Sequence, residues 1–363
     1  MPKAPTVYDV ADLAGVSIAT VSRVFRKPHK VSQATKDRVD AAVLDLGYVP
    51  SGSARSLAAR RAGAIGLCFP DFDGIDGGPA PIAYADGKVI ARLDPPEDVE
   101  PSGNLYISEV MLGTEIEAWR HGMAVTIAVA RGERGNEIFD NLAGRVDGMV
   151  TLSQTVPEGL LAHIARRIPV VVIAGPRAGD DYDHIGTDNV AGMEAMTKHV
   201  VDVHGVRDVA FVGGPADSPD DRDRFEGFRM GLLAEGIEAP SEPLLRGDFT
   251  RGHGRMLGRR LVEAGPVPRA LMCSNDQTAL GILDALLAAE LRVPEDVIIT
   301  GFDGIDASEM SRPRITTVRQ PMRELGRAAV DTLLRRLGDP LMPPQTRTLP
   351  VTVLLRESCG CLP

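Results

Sequence analysis

Two short helical repeats separated by a single glycine constrain the start of the chain more tightly than any other stretch. Between Thr6 and Phe25, apolar residues recur at i, i+3 and i+4 spacing on both sides of Gly15, which favours helices over strands. Glycine there supplies the left-handed backbone of a tight turn. Thr6, with Asp9 three positions on, and Ser17 are suitable N-terminal caps, so the stretch predicts a helix-turn-helix unit.

The second predicted helix directs Ile18, Ala19, Ser22 and Arg23 outward. In helix-turn-helix proteins the second helix enters the DNA major groove, where its first residues reach base edges. The Arg23 guanidinium can donate two hydrogen bonds to guanine O6 and N7, and the methyl groups of Ile18 and Ala19 can contact a thymine methyl. The alternative is a two-helix piece of an ordinary core with an exposed arginine.

The sequence that follows favours DNA binding over that alternative. Ser32 is a suitable cap for a third helix that ends at Gly47, and three helices close a small domain over residues 1–50. Residues 51–62 form a hinge that is too short and too rich in Gly and Ser to hold a helix alone. Leu57 lies among basic residues there, so the hinge is expected to fold on DNA and insert this side chain between minor-groove base steps.

Charge is distributed unevenly along the 363 residues. Residues 1–62 contain ten Lys/Arg against five Asp, a net +5, whereas the whole chain carries −10. A basic head on an acidic body places the nucleic-acid contact at one end. Four scattered cysteines, no export signal and no long apolar run predict a cytoplasmic protein without a membrane segment. No Walker, HExxH or GxSxG motif is present, so neither an enzyme nor a cofactor is predicted.

From Ala64 onward, short apolar runs alternate with helical stretches, which indicates a βαβ series. A second series begins after Asp188. Two doubly wound α/β halves of this kind bind ligands in the crevice outside the carboxyl ends of their strands. The predicted strands are 65–69, 125–129, 148–152 and 170–173 in the first half, and 209–213, 270–274 and 297–302 in the second.

Motifs in both parts of the chain resemble those of the LacI/GalR family of bacterial transcription regulators. The head contributes VYDVADLAGVS, ATVSRVF, Gly47-Tyr48-Val49-Pro50, and Ala54 with Leu57 in the hinge. The body contributes VDVHGVRDVAFVGGPADS, DRFEGFRMGL, CSNDQTALGIL, VPEDVIITGFD and ITTVRQP. The resemblance covers nearly the whole chain and implies a periplasmic-binding-protein-type core. It also implies a homodimeric repressor that binds a pseudo-palindromic double-stranded operator under control of a small polar effector, most commonly a sugar.

Site residues follow from the helix pattern and the resemblance together. The residues expected at the DNA are Thr6, Ser17, Ile18, Ala19, Thr20, Ser22, Arg23, Arg26, Ser32, Ala54 and Leu57. The resemblance implies an effector site at Asp71, Phe72, Arg224, Phe249, Asn275, Asp303 and Gln320. The alternative for this second set is structural, with Asp303 and Asn275 capping loops and Phe249 in the core.

Two departures from the family pattern bear on function. Ala174 stands where the family often has an acid that binds sugar hydroxyls, which puts a sugar effector in question. The segment 73–103 is about thirty residues longer than the family's short turn, and its apolar runs around Asp86-Gly87 predict a β-hairpin. That insertion is expected to be either surface decoration or a lid or dimer clasp. Two further alternatives concern the function as a whole: a DNA-binding regulator whose body responds to a protein partner, or a small-molecule-binding protein without a regulatory role.

The expected division of the body is a first subdomain of about residues 63–187 and 318–345, and a second of about 188–317 plus a C-terminal strand. Near the end, Cys359-Gly360-Cys361 has the composition of a metal or redox pair. Because two further ligands are not apparent in the sequence nearby, the favoured interpretation is a frayed tail.

Overall fold

The computed structural model describes residues 5–49, 61–71, 105–130, 135–175 and 179–361. The chain divides into two compact units, Met1–Gly63 and Ala64–Pro363. Among the helices in these ranges, none combines the length and apolar composition needed to cross a bilayer. The predicted hinge residues Ala54 and Leu57, together with Phe72 and the insertion 73–103, lie outside the described residues, as does the side chain of Arg26.

Within residues 5–49, the first unit has three α-helices: α1 (Val7–Ala14), α2 (Ile18–Arg26) and α3 (Gln33–Leu46). Gly15 joins α1 to α2 with φ of 63°, the left-handed conformation that the sequence predicted. The facing apolar side chains form a small closed core, which confirms the helical spacing. Its buried members are Val10, Ala11, Ala14, Val21, Val24, Val39 and Ala42.

The caps of these helices agree with prediction at α1 and α2 and differ at α3. The Asp9 carboxylate accepts hydrogen bonds from the backbone N–H and the hydroxyl of Thr6, both at 2.7 Å. The Ser17 hydroxyl accepts a 3.2 Å hydrogen bond from the backbone N–H three residues on. Ser32 occupies the N-cap position of α3, but its hydroxyl is hydrogen-bonded to the Thr35 hydroxyl at 2.9 Å and not to a backbone N–H.

The described part of the second unit forms two six-stranded sheets. The strands are β1 (Ala64–Pro70), β2 (Ala124–Ala130), β3 (Gly148–Leu152), β4 (Val170–Ile173), β5 (Asp183–Thr187), β6 (Val209–Gly213), β7 (Leu245–Arg246), β8 (Ala270–Cys273), β9 (Ile298–Asp303), β10 (Thr316–Arg319), β11 (Thr346–Leu349) and β12 (Thr352–Leu354). The first sheet has the order β11-β5-β4-β3-β1-β2 and is parallel throughout. The second has the order β12-β10-β9-β8-β6-β7, with only β12 antiparallel.

Helices cover both sheets, as expected of parallel strands whose buried runs need apolar layers on each face. The helices are α4 (Leu105–Arg120), α5 (Gly135–Ala143), α6 (Glu158–Ala165), α7 (Asn189–Lys198), α8 (Pro219–Ala234), α9 (Arg251–Ala264), α10 (Asp276–Ala288), α11 (Asp306–Met310) and α12 (Met322–Gly338). The predicted fold class, two doubly wound α/β subdomains after a helical head, is confirmed.

Three helix pairs pack backbone to backbone through glycines: α4 with α12, α7 with α8, and α9 with α10. A Cβ at Gly113 would lie 2.0 Å from the carbonyl oxygen of Arg323, and one at Gly227 would lie 2.2 Å from that of Val190. At Gly281 the corresponding distance to a carbonyl oxygen of α9 is 2.1 Å. Since no side chain fits at such distances, these glycines set the spacing of the helices on the sheets.

The chain crosses between the two subdomains three times, at residues 188, 320–321 and 350–351. Two expected boundaries, at 318 and 345, therefore need correction. Val318 and Arg319 still pair with β9 in the second sheet. The segment Thr346–Leu349 pairs with β5 in the first sheet. Because both strands stay hydrogen-bonded to their sheets beyond the expected boundaries, each crossing lies two to four residues later in the chain than the sequence suggested.

The prediction of a frayed tail around Cys359 is wrong. Residues Glu357–Cys359 form a 3-10 turn, and Cys359 is buried in the core of the second subdomain. The Ser358 hydroxyl accepts a 2.8 Å hydrogen bond from the Thr316 N–H and donates one of 2.6 Å to the Ile299 carbonyl. These contacts attach the turn to β9 and β10.

Candidate functional site

A cavity of about 380 Å³ lies between the two sheets of the second unit. Its walls include the ends of β1, β3 and β9 and the residues that follow β4, β6, β8 and β10, so it occupies the carboxyl edge of both sheets. Five of the seven predicted effector residues line it: Arg224, Phe249, Asn275, Asp303 and Gln320. Asp71, directly after the end of β1 at Pro70, is exposed and does not line it.

Arg224, on α8, is held rigidly at the base of this cavity. Its Nε donates to Asn189 Oδ1 at 3.0 Å, and its Nη1 donates to the Ser274 carbonyl at 2.8 Å. The guanidinium carbon lies 4.0 Å from the centroid of the Phe302 ring, a cation–π contact. Nη1 is also 3.5 Å from a carboxylate oxygen of Asp303. A buried, oriented guanidinium of this kind suits recognition of hydroxyl or carboxylate oxygens.

Asp303 ends β9 and is linked to the crossing segments by a chain of hydrogen bonds. Gln320 Nε2 donates to Asp303 Oδ1 at 2.8 Å, and the Thr187 hydroxyl donates to Gln320 Oε1 at 2.9 Å. Thr187 and Gln320 stand at two of the crossings, so these hydrogen bonds connect the cavity to the segments that join the subdomains. Burial raises the pKa of the Asp303 carboxyl, and the Arg224 guanidinium opposes that rise.

A second carboxylate, Asp276 on the first turn of α10, fixes the loop after β9. It accepts hydrogen bonds from the backbone N–H groups of Gly304 and Ile305, both at 2.9 Å, and from the Thr317 hydroxyl at 2.6 Å. Burial, followed by the charge of Asp303, raises its pKa. Asp276 does not line the cavity, so its function is to position the carboxyl end of β9.

Phe249 and Asn275 form the aromatic side of the cavity. Asn275 caps α10, since its Oδ1 accepts a 3.0 Å hydrogen bond from the Thr278 N–H, while its Nδ2 donates to the Phe249 carbonyl at 3.0 Å. Phe249 has φ of 70°, a left-handed conformation that is rare for an aromatic residue. Its half-buried ring packs over Gly214, where a Cβ would lie 2.1 Å from the ring. Phe249 is therefore not an ordinary core residue.

The opposite wall belongs to the first subdomain, and two of its residues, Tyr106 and Gln154, were not predicted from the sequence. Tyr106 on α4 faces Asp220, Asp303 and Arg224, and burial together with the two carboxylates raises the pKa of its phenol. Gln154, after β3, has φ of 62° and donates a 2.6 Å hydrogen bond to the Asp217 carbonyl across the cleft. A single sequence gave no signal for these residues because they belong to no charged or glycine-rich motif.

Ala174 also lines the cavity, with φ of 66°. The cavity therefore presents a cation, carboxylates, side-chain amides, a phenol and an aromatic ring to one enclosed volume. This set can bind a small polar molecule in a defined orientation.

In the first unit, α2 presents the residues predicted to contact DNA. Ile18, Ala19 and Arg23 are exposed, and Thr20 and Ser22 are partly exposed. Thr6, Ser17 and Ser32 lie at the N-termini of the three helices. The exposed side of α2 thus matches the predicted DNA-contacting surface, and backbone N–H groups at the helix N-termini are suited to bind phosphates.

Comparisons with known proteins decide the family. Residues 6–51 match the family described as "Bacterial regulatory proteins, lacI family", and residues 198–359 match "Periplasmic binding protein-like domain". The ribose operon repressor of Escherichia coli (strain K12) is 30% identical over 357 residues, covering 97% of this chain and 98% of the relative. The chain belongs to the lacI family of bacterial regulatory proteins.

Other members resemble this lacI-family regulator over the same length. The HTH-type transcriptional repressor CytR of Escherichia coli (strain K12) is 29% identical, covering 99% of this chain and 98% of the relative. The lac repressor dimer bound to operator and the anti-inducer ONPF superposes with a TM-score of 0.79 at 26% identity, covering 98% and 99% of the two chains. The transcriptional regulator CelR in complex with cellobiose superposes with a TM-score of 0.68 at 28% identity, and the coverage of the two chains is the same.

Membership confirms the central predictions from the sequence. The lacI-family regulator is a DNA-binding transcriptional repressor with a body of periplasmic-binding-protein type that responds to a small-molecule effector, and its relatives are regulators and not enzymes. The individual DNA-contacting and effector-binding residues remain predictions.

Proposed function

We propose that the regulator acts in the cytoplasm, binds a pseudo-palindromic operator as a homodimer, and is controlled by a polar ring-bearing metabolite bound between its two subdomains. The observation that carries this proposal is the cavity itself, in which Arg224, Asp303 and Gln320 converge from the second subdomain and its crossings. The subdomain opposite contributes Tyr106, so a ligand that touches both walls changes the angle between the two halves.

Operator recognition is assigned to α2. Arg23 donates to guanine O6 and N7, and Ile18 and Ala19 contact thymine methyls in the major groove. Ser22 and Thr20 provide hydroxyl contacts to bases or phosphates. Two copies of this helix, related by the dimer axis, read the two half-sites. Between the half-sites, Ala54 and Leu57 of the hinge contact the minor groove, where Leu57 acts as an apolar wedge.

Dimerisation is supported by apolar side chains exposed on the first subdomain. Leu112 and Trp119 lie seven residues apart on one face of α4, and Trp119 is 73% exposed. Ile127, on the neighbouring edge strand β2, is 48% exposed. Large apolar side chains grouped on one side of a subdomain suit a self-complementary interface with a second copy of this chain.

The effector chemistry follows from the lining. The Phe249 ring can stack on a sugar or base ring, and the guanidinium, carboxylate and amides can bind hydroxyls in a fixed geometry. Relatives include a ribose operon repressor and a regulator in complex with cellobiose. Since Ala174 provides no carboxylate, we expect Asp303 and Arg224 to carry the polar recognition of a sugar or a related metabolite.

The test combines operator selection with a ligand panel. Genomic fragments bound by the purified full-length regulator define the operator, and fluorescence anisotropy then measures how sugars, nucleosides and small acids change its affinity. We expect one chemical class both to raise the melting temperature and to change operator affinity. Intact operator binding with no response to any small molecule would favour control by a protein partner, and no preference for any duplex over random competitor would refute DNA regulation.

A further inference from the structure

Four side chains able to ligate a metal meet in the second subdomain, although they come from distant parts of the sequence. They are His199, His204, Cys359 and Cys361, and their nitrogen and sulfur atoms all lie within 4.8 Å of one another. Asn189 begins α7 beside the effector cavity, whereas His199 follows its last residue. The helix between them is about 15 Å long, so the cluster is separate from the effector site.

The pairing of the two histidines depends on an unusual turn. Residues His199–Val203 form one turn of π-helix directly after α7. In an α-helix, residue i+5 is rotated by about 140° from residue i. The wider π turn closes from i to i+5 and brings His204 back beside His199. The two Nε2 atoms are consequently 3.1 Å apart.

The two cysteines are positioned by the 3-10 turn near the C-terminus. Gly360, between them, has φ of 98°, a conformation that allows the chain to reverse there. The turn is anchored by Glu357, whose carboxylate accepts hydrogen bonds from the backbone N–H of Arg314 at 2.8 Å and from its Nε at 3.0 Å. Cys359 is buried and Cys361 is partly exposed, so the cluster lies just beneath the surface.

Four of the six distances between the ligand atoms are close to the edges of a zinc tetrahedron. Bond lengths of about 2.3 Å to sulfur and 2.0–2.1 Å to nitrogen give edges of about 3.3 Å between two nitrogens and about 3.6 Å between nitrogen and sulfur. The two Nε2 atoms are 3.1 Å apart, and Cys361 Sγ lies 3.5 Å from His199 Nε2 and 3.6 Å from His204 Nε2. Cys359 Sγ is 3.9 Å from His199 Nε2.

We propose that His199, His204, Cys359 and Cys361 bind one Zn²⁺ ion in a closed Cys₂His₂ site that fastens the C-terminal turn to the end of α7. Two thiolates neutralise the charge of the ion, and thiolate with imidazole donors selects zinc over magnesium or calcium. Four protein ligands leave no open position, which is the arrangement of a structural site and not of a catalytic one. A redox pair would use the cysteines alone and leave the converging imidazoles without a function.

The first test measures metal in the full-length protein, purified with reductant, loaded with one equivalent of ZnCl₂ and desalted. We expect one zinc per chain, and roughly a tenth of that or less in Cys361→Ser and His204→Ala. Matched controls are Cys68→Ala, a buried cysteine of β1, and His163→Ala, an exposed histidine of α6, which should both retain one equivalent. Absence of zinc from the wild type, or equal retention in all variants, would overturn the site.

The second test uses the wild-type chain alone, so it does not depend on the folding of a variant. Co²⁺ should give the visible absorption of a tetrahedral ion with a thiolate-to-cobalt charge-transfer band, and one equivalent of Zn²⁺ should bleach it. Chelation should lower the melting temperature by several degrees and Zn²⁺ should restore it. An octahedral cobalt spectrum, an unchanged melting temperature, or a Cys359–Cys361 disulfide in the freshly purified chain would each refute the proposal.

Discussion

Arg23 is exposed on α2, where it can reach a base edge without moving the helix. Arg23→Ala should weaken operator binding by roughly 1–3 kcal/mol and relax the preference at one base pair in each half-site, because a bidentate contact to guanine is lost. Binding to operators mutated at each position measures this. Arg38→Ala on α3 is the control for loss of charge. If Arg23→Ala weakened binding equally on all sequences, Arg23 would be only a phosphate contact.

Asp303 provides a pH-dependent signature of the cavity. Its pKa is raised by burial, so the folded protein binds the proton more tightly than the unfolded chain does. The ionised form therefore costs stability at neutral pH, and that cost declines as pH falls through the raised pKa toward the ordinary carboxyl range. Asp276 behaves in the same way, and its pKa is raised partly by the charge of Asp303.

Asp303→Asn removes the titrating carboxyl of residue 303. It also lowers the pKa of Asp276, because the neighbouring negative charge is gone. The free energy of unfolding of the wild type minus that of the variant should therefore rise as pH falls from 7 toward 4, by on the order of 1 kcal/mol. Urea denaturation across that range measures it. Asp306→Asn, which removes an exposed carboxyl from α11, is the control for loss of a surface carboxyl. A flat or falling difference for Asp303→Asn would contradict the burial of an ionisable group.

At the scale of elements, the glycine-mediated helix pairs are the most sensitive contacts. Gly113→Ala would place a methyl group 2.0 Å from the Arg323 carbonyl oxygen and push α4 away from α12. We expect a loss of roughly 1–3 kcal/mol in stability, the range for overpacking a close contact. Gly159→Ala on α6 is the matched control, since a Cβ there meets nothing within 4 Å.

That control should be neutral or stabilising by up to about 1 kcal/mol, because alanine favours a helix over glycine. Thermal and urea unfolding of both variants decide the comparison. Equal effects of the two substitutions would mean that α4 and α12 can move apart without cost.

Elements with a strong local pattern were predictable, and those defined by distant partners were not. The strand Val170–Ile173 is a continuous apolar run, and its predicted bounds agree with the structure. The strand β5 was missed because its sequence, DHIGT, is polar; its buried Asp183 is stabilised by an ion pair of 2.6 Å with Arg336, 153 residues away. The same limit applies to the proposed zinc site, whose histidines and cysteines lie about 160 residues apart.

The residues of the effector cavity likewise fall into a predictable and an unpredictable group. Arg224, Asn275 and Asp303 lie in continuous sequence motifs, DRFEGFRMGL, CSNDQTALGIL and VPEDVIITGFD, and could therefore be predicted. Tyr106 and Gln154 reach the cavity only because the fold brings the first subdomain against the second. The effector contact of Phe72, the hairpin in the insertion 73–103 and the minor-groove contact of Leu57 remain predictions.

At the scale of the whole molecule, the head and the body are separate compact units, which predicts separable functions. A fragment of residues 64–363 should fold and show the same effector-induced rise in melting temperature as the full chain. It should have no detectable preference for the operator, because the helix that reads bases is absent. Calorimetry and anisotropy measure the two properties. A fragment that unfolds, or that loses the effector response, would show that the body depends on the head.

The three crossings also govern the order in which the protein can be completed on the ribosome. The edge strands β11 and β12, one in each sheet, are separated by only two residues near the end of the described chain. Neither sheet can acquire its final strand until residues 346–354 have left the exit tunnel. The three-helix head, by contrast, closes its core from the first residues to emerge. A nascent chain can therefore complete the core of its head before either sheet of its body has all its strands.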